Sequence, residues 1–143
     1  MGFVAEGSLD SAESAEALFD RLIDHGNWIH VMPCGFSPMG SSRGQLKVGD
    51  RVQVRIAGRP SLIAIATVRR PLEISWTGGT RGVLYAEHRF LFEQRSDGGT
   101  RVRSVETWEG VLTPFVKPIV KRLAERIGKQ QLEGLVGRAH AGR

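Results

Sequence analysis

The chain has 143 residues, 41% hydrophobic and 24% charged, with a formal net charge of +5. A chain of this length buries roughly 68–70% of its unfolded surface, so one domain with a true core, residues 1–143, is expected. The composition excludes a fibrous or disordered chain. No apolar run approaches the roughly 18 residues that would span a bilayer, and the single Cys34 excludes an internal disulfide.

Phe3, Ala5, Gly7 and Leu9 alternate to one side and predict a first strand. In LDSAESAEALFDRLID, Asp10 or Ser11 stands where a helix cap is wanted, and Glu13 is placed for a capping box. The helix that follows carries Leu18, Phe19, Leu22 and Ile23 as its apolar stripe. DHGNWIHVMPCGFSP predicts a short helix around Trp28–Val31 and then loop, which continues through MGSSRG.

From Gln45 the period becomes two. Val52, Val54 and Ile56 oppose Arg51, Gln53 and Arg55, AGRP turns the chain, and SLIAIATVRR is apolar on both faces as an interior strand is. PLEISWT groups Leu72, Ile74 and Trp76, and GGTRG reads as a glycine-rich loop forming a mobile lip. AEHRFLFEQRSDGGTRVRSVETWEG then reads as a hairpin about SDGG.

Thr113-Pro114 supplies a cap and a first-turn proline for a long helix. Phe115, Ile119, Leu123 and Ile127 recur every fourth residue, with Val116, Val120, Leu132, Leu135 and Val136 widening that stripe. Pro118 predicts a local kink, and residues 137–143 read as a frayed tail.

The predicted class is therefore α+β. About seven antiparallel strands form a curved sheet wrapped around a long C-terminal helix, with one or two short helices between the first two strands. The tapered space between sheet and helix is where a small molecule would go.

Charge is unevenly placed. Residues 1–113 balance 13 Lys and Arg against 13 Asp and Glu. The whole excess falls after residue 113, where Lys117, Lys121, Arg122, Arg126, Lys129, Arg138 and Arg143 face only Glu125 and Glu133. A solvated outer face explains such a helix, and peripheral contact with an anionic membrane is the partner it would suit; nucleic acid is not expected. The N-terminus has no basic region followed by an apolar core, so a cytoplasmic protein is expected, as monomer or homodimer.

Taken in order, SAESAEALFDRLIDHGNW, GQLKVGDRVQVRI, PLEISWTGG, HRFLFEQRSDGGTRVRSVETWEG and LTPFVKPIVKRLAERIGKQQLEGL resemble the START-like, Bet v 1-like superfamily (the SRPBCC group), in particular its polyketide cyclase/dehydrase-like branch. The resemblance covers roughly residues 2–137. It implies a helix-grip fold: a seven-stranded antiparallel sheet around a C-terminal helix and a ligand cavity. Proteins of this kind bind lipids, sterols, polyketides or hormones, and some catalyse cyclisation or dehydration.

Parity on the hairpin carries the chemistry. His88 shares a face with Leu84, Ala86, Phe90 and Phe92; Glu106 shares one with Val102, Ser104 and Trp108. The opposite choice would bury Arg89, Arg101 and Arg103, so these sets face inward. A five-residue connection, Arg95–Gly99, sets His88 opposite Glu106; a three-residue one sets it opposite Trp108.

Three readings of the pair stay open: a satisfied buried link, a polar anchor for a ligand, or an acid/base couple. The leading reading is binding of a small, largely hydrophobic ligand (lipid, polyketide-like or aromatic) on a wall of Trp76, Phe90, Phe92, Trp108, Ile119 and Leu123, with His88 and Glu106 as anchor. The alternatives are a cyclase/dehydratase using His88 and Glu106, or an interaction module acting through the basic helix. No cofactor is implied. His25, His30 and Cys34 are too loosely spaced to predict a metal site.

Overall fold

Alternation decides the sheet. The computed structural model describes residues 2–137, so part of the expected tail, residues 138–143, lies outside the described residues. In chain order the elements are β1 (Gly2–Ser11), α1 (Ala15–Ile23), a turn of 3-10 helix (His25–Asn27), α2 (Trp28–Val31), β2 (Phe36–Pro38), β3 (Arg51–Ile56), β4 (Arg59–Arg69), β5 (Glu73–Thr80), β6 (Leu84–Gln94), β7 (Thr100–Glu109) and α3 (Thr113–Val136). The strands form one antiparallel sheet of seven, in the order β1-β7-β6-β5-β4-β3-β2. Strands β2 to β7 form a meander, β1 joins it beside β7, and the sheet curls into a half-barrel with α3 laid across it, the expected α+β helix-grip architecture. Among the described residues no helix is long and apolar enough to cross a membrane.

Inward residues at period two build the core: Val52 and Val54 on β3, Ile63 and Ile65 on β4, Ile74 and Trp76 on β5, Phe90 and Phe92 on β6. They meet Leu18, Phe19, Leu22 and Ile23 of α1 and Trp28 of α2. Each such side chain, fully buried, contributes roughly 1.5–3 kcal/mol. The second half of α3 closes over β1 and β7 through Ile127, Leu132 and Leu135. Gly134 permits this approach to α2, since a Cβ there would stand 1.9 Å from the carbonyl oxygen of Val31.

Several local expectations are corrected. The cap of α1 is Ser14, whose hydroxyl accepts from the Ala17 amide at 3.2 Å, not Asp10 or Ser11. Those two extend β1 opposite Arg101 and Thr100. Asp10 is drawn into the sheet by Arg101 and Arg95, whose guanidinium hydrogen bonds hold its carboxyl down to about 2. Residues 36–38, read as loop, form the edge strand β2. GGTRG is not a loop throughout: Gly78, Gly79 and Thr80 continue β5, opposite Ala86, Tyr85 and Leu84. Thr113 begins α3 but does not cap it by side chain; its hydroxyl donates to the Gly110 carbonyl at 2.7 Å. The helix runs on through Pro118.

Candidate ligand-binding cavity

Small residues leave the space. Gly78 and Ala86, paired across β5 and β6, line it on the sheet side, and Ala124 answers them from the helix. Gly79 has φ +90°, and a Cβ there would stand 2.2 Å from the Leu84 carbonyl oxygen, so only glycine fits. The result is a cavity of about 290 Å³ between the sheet and the middle of α3. Its volume stands at the lower edge of the roughly 300–1,000 Å³ of ligand pockets and at about twice the roughly 150 Å³ that holds a benzene ring. Ile56, Ile63, Leu84, Val120, Leu123 and Ile127 make its apolar wall, with Trp76 and Trp108 as the two large rings.

The polar end lies on β6 and β7. The connection between them is the five-residue Arg95–Gly99, so His88 stands directly opposite Glu106. Nδ1 of His88 lies 3.1 Å from Oε2 of Glu106, and its Nε2 lies 2.7 Å from Oγ of Ser104. The indole N–H of Trp108 donates to Oε1 of Glu106 at 2.5 Å. Ser104, His88, Glu106 and Trp108 thus form one polar chain, hydrogen-bonded at its two ends and joined in the middle by the close His88–Glu106 contact. His88 is only 4% exposed, wedged between the ring of Trp76 (centroids 5.3 Å apart) and that of Phe90 (4.5 Å). Glu106 is the more open member and lies on the cavity wall.

The connectivity Ser–His–carboxylate is that of a nucleophilic triad, but the exposure runs the other way. Ser104 is buried against α3, where a Cβ on Gly128 would stand 3.3 Å from its hydroxyl, while the carboxylate faces the cavity. With both ring nitrogens taken by protein partners, His88 offers a ligand no free nitrogen, although its ring lines the cavity.

Of the residues expected to line the site, Trp76, His88, Glu106, Trp108 and Leu123 come together at the cavity. Phe90 and Phe92 do not; they are buried beneath His88, and Phe92 packs edge-on against Phe19 of α1. Ile119 is 75% exposed and points away from the sheet. The reason is geometric: steps of four residues advance about 40° around a helix of 3.6 residues per turn. A stripe from Phe115 to Ile127 therefore winds by roughly a third of a turn, and Val120 and Ala124 take the inward place. Parity had put Ser104 on the inward face, and its partner became visible only once the register was known.

A second, larger depression of about 620 Å³ lies between α1 and the end of α3, lined by Glu13, Asp20, Arg21 and His30. It is an open, charged groove, with Arg21 already held by Glu13 at 2.5 Å. His25 is buried against Trp28, and its Nδ1 accepts from the Arg43 amide at 2.9 Å. Cys34 is exposed. Among the described residues no three His, Cys, Asp or Glu side chains are grouped to hold a metal ion.

No protein-family model and no curated protein matches the sequence. Solved structures do match in shape. A START superfamily protein from Mycobacterium smegmatis superposes with a TM-score of 0.70 at 19% identity, covering 98% of this chain and 99% of that one. Norcoclaurine synthase from Thalictrum flavum, in complex with dopamine and hydroxybenzaldehyde, gives 0.72 at 11% identity, with 100% and 89% covered. Ara h 8.0201 gives 0.62 at 16% identity, with 96% and 99% covered. The chain has the START-like, Bet v 1-like fold.

Proposed function

We propose that the protein binds a small, mostly apolar molecule of one or two rings between the sheet and α3, and that Glu106 anchors it. The observation that carries this reading is the cavity of about 290 Å³ with the Glu106 carboxylate on its wall. A carboxylate accepts hydrogen bonds and donates none, so the matching ligand presents a hydroxyl, phenol or amine beside its apolar body. The volume favours an aromatic molecule over a long-chain lipid, and the fold neighbour complexed with dopamine and hydroxybenzaldehyde binds molecules of that size. An exposed, unpaired Cys34 suits a reducing cytoplasm.

Native mass spectrometry of the purified protein, followed by displacement of a fluorescent anilinonaphthalene probe, tests this reading. A bound or displacing donor-bearing aromatic that also raises the melting temperature supports it. Absence of any such ligand across phenols, aryl amines and fatty acids refutes it.

Acid/base catalysis is the second reading, favoured by the imidazole 3.1 Å behind the carboxylate. In it Glu106, not His88, takes the ligand's proton, and His88 with Trp108 holds the carboxylate in place. Turnover lost in Glu106→Gln with binding retained is the signature that separates it from binding alone.

A further inference from the structure

α3 presents solvent with the face that a core helix would hide. Phe115 is 79% exposed and Ile119 75%, and they continue on the same side of the helix into Arg122, Arg126 and Lys129. The turn that enters the helix adds Val111 at 70% and Leu112 at 41%. The amides of those two residues donate to the carbonyls of Gly82 and Val83, which brings the exposed Val83 into the same patch. Val83 and Ile119 directly adjoin Leu84 and Val120 of the cavity wall, so the apolar patch borders the cavity.

Many cations elsewhere are matched, as in Arg70 with Asp20, Arg89 with Glu73 and Arg101 with Asp10, whereas Arg51, Arg55 and Arg59 at the β3–β4 edge pair with no carboxylate among the described residues. Lys117, Lys121, Arg122, Arg126 and Lys129 pair with no acidic group among the described residues. The whole net charge of the chain lies in this last segment.

We propose that this face docks on the surface of an anionic lipid bilayer. Phe115, Ile119 and the Val111-Leu112 turn enter the headgroup boundary, and Arg122 and Arg126 meet lipid phosphates and carboxylates. RNA would satisfy the cations but leave four aliphatic side chains in water beside a single aromatic ring. A second copy of the chain would cover the apolar patch but bring the same excess of cations, five against only Glu125 and Glu133 on this helix. Docking here is independent of what, if anything, occupies the cavity.

Vesicle co-sedimentation with the intact protein tests the proposal, comparing phosphatidylcholine alone with phosphatidylcholine carrying about 30% phosphatidylserine. Binding is expected only to the anionic vesicles and should weaken steeply between about 50 and about 500 mM salt. Arg122→Gln with Arg126→Gln should cost roughly five-fold per residue. Phe115→Ser with Ile119→Ser should weaken binding at unchanged charge, and melting temperatures should confirm that both pairs of exposed substitutions fold. No binding to anionic vesicles at low salt, or unchanged affinity in either double variant, overturns the proposal. So does vesicle indifference accompanied by RNA binding, or by a dimer that Phe115→Ser dissociates.

Discussion

Glu106 stands on the cavity wall and Ser104 is buried behind it, with His88 between them at 3.1 Å from the carboxylate and 2.7 Å from the hydroxyl. The imidazole is a link inside the wall, and the carboxylate is the group a ligand meets. The two residues are therefore expected to respond differently to substitution.

Glu106→Gln keeps the shape but removes the charge and replaces one of the two acceptor oxygens with an NH2 group, so only one of the His88 and Trp108 contacts keeps its acceptor. Hydrogen bonds to a charged group contribute about 1.5–3 kcal/mol, so affinity for a phenol or aryl amine should fall roughly 10- to 100-fold. Isothermal titration with such compounds measures this, and a modest fall in melting temperature is expected alongside from the lost acceptor.

Ser104→Ala strands one nitrogen of a buried imidazole. The expected loss is about 1–3 kcal/mol of stability, read by denaturant unfolding, with ligand affinity changed far less. His88→Ala should cost more stability than Ser104→Ala, because it also removes a ring packed between Trp76 and Phe90.

Ala124→Leu places a larger side chain in the cavity from the helix side. The protein should fold, and binding of every cavity ligand should be lost together, as displacement assays would show. Gly79→Ala should instead damage the fold itself, since the new Cβ would stand 2.2 Å from a backbone oxygen at φ +90°.

Burial, reinforced by the Arg43 charge and opposed by Asp24, holds the His25 imidazole below its ordinary 6.5. The unfolded chain therefore takes up a proton before the folded one does. Stability from this source is complete above about 6.5 and declines as pH falls through that value toward the lowered folded one. His25→Asn keeps an acceptor for the Arg43 amide and should flatten the decline. Melting temperatures recorded between about pH 8 and about pH 5 give the comparison.

Much of this was legible in the residues. Period-two alternation placed most of the long strands, an apolar run marked β4, and the cost of burying Arg89, Arg101 and Arg103 fixed the inward face of the hairpin. The alternative left open by loop length was resolved by the five-residue Arg95–Gly99, which made His88 and Glu106 direct neighbours. What stayed hidden depends on three dimensions. Gly78 and Gly79 carry a loop-like sequence, yet β6 pairs with both, and Gly78 lines the cavity opposite Ala86. The apolar stripe of α3 could not show that the sheet covers only part of its length. Asp10 satisfies the pattern of a helix cap, but Arg95 and Arg101, distant in sequence, outbid it.

The most direct measurement follows the indole N–H resonances of Trp28, Trp76 and Trp108 while one- and two-ring phenols, aryl amines and matched aryl carboxylates are titrated in. The expected result is a saturable shift at Trp108 and Trp76 with the donor-bearing compounds, absent with the carboxylates and abolished in Ala124→Leu. No shift at Trp108 with any of them, or equal shifts in the filled variant, would contradict ligand binding at Glu106.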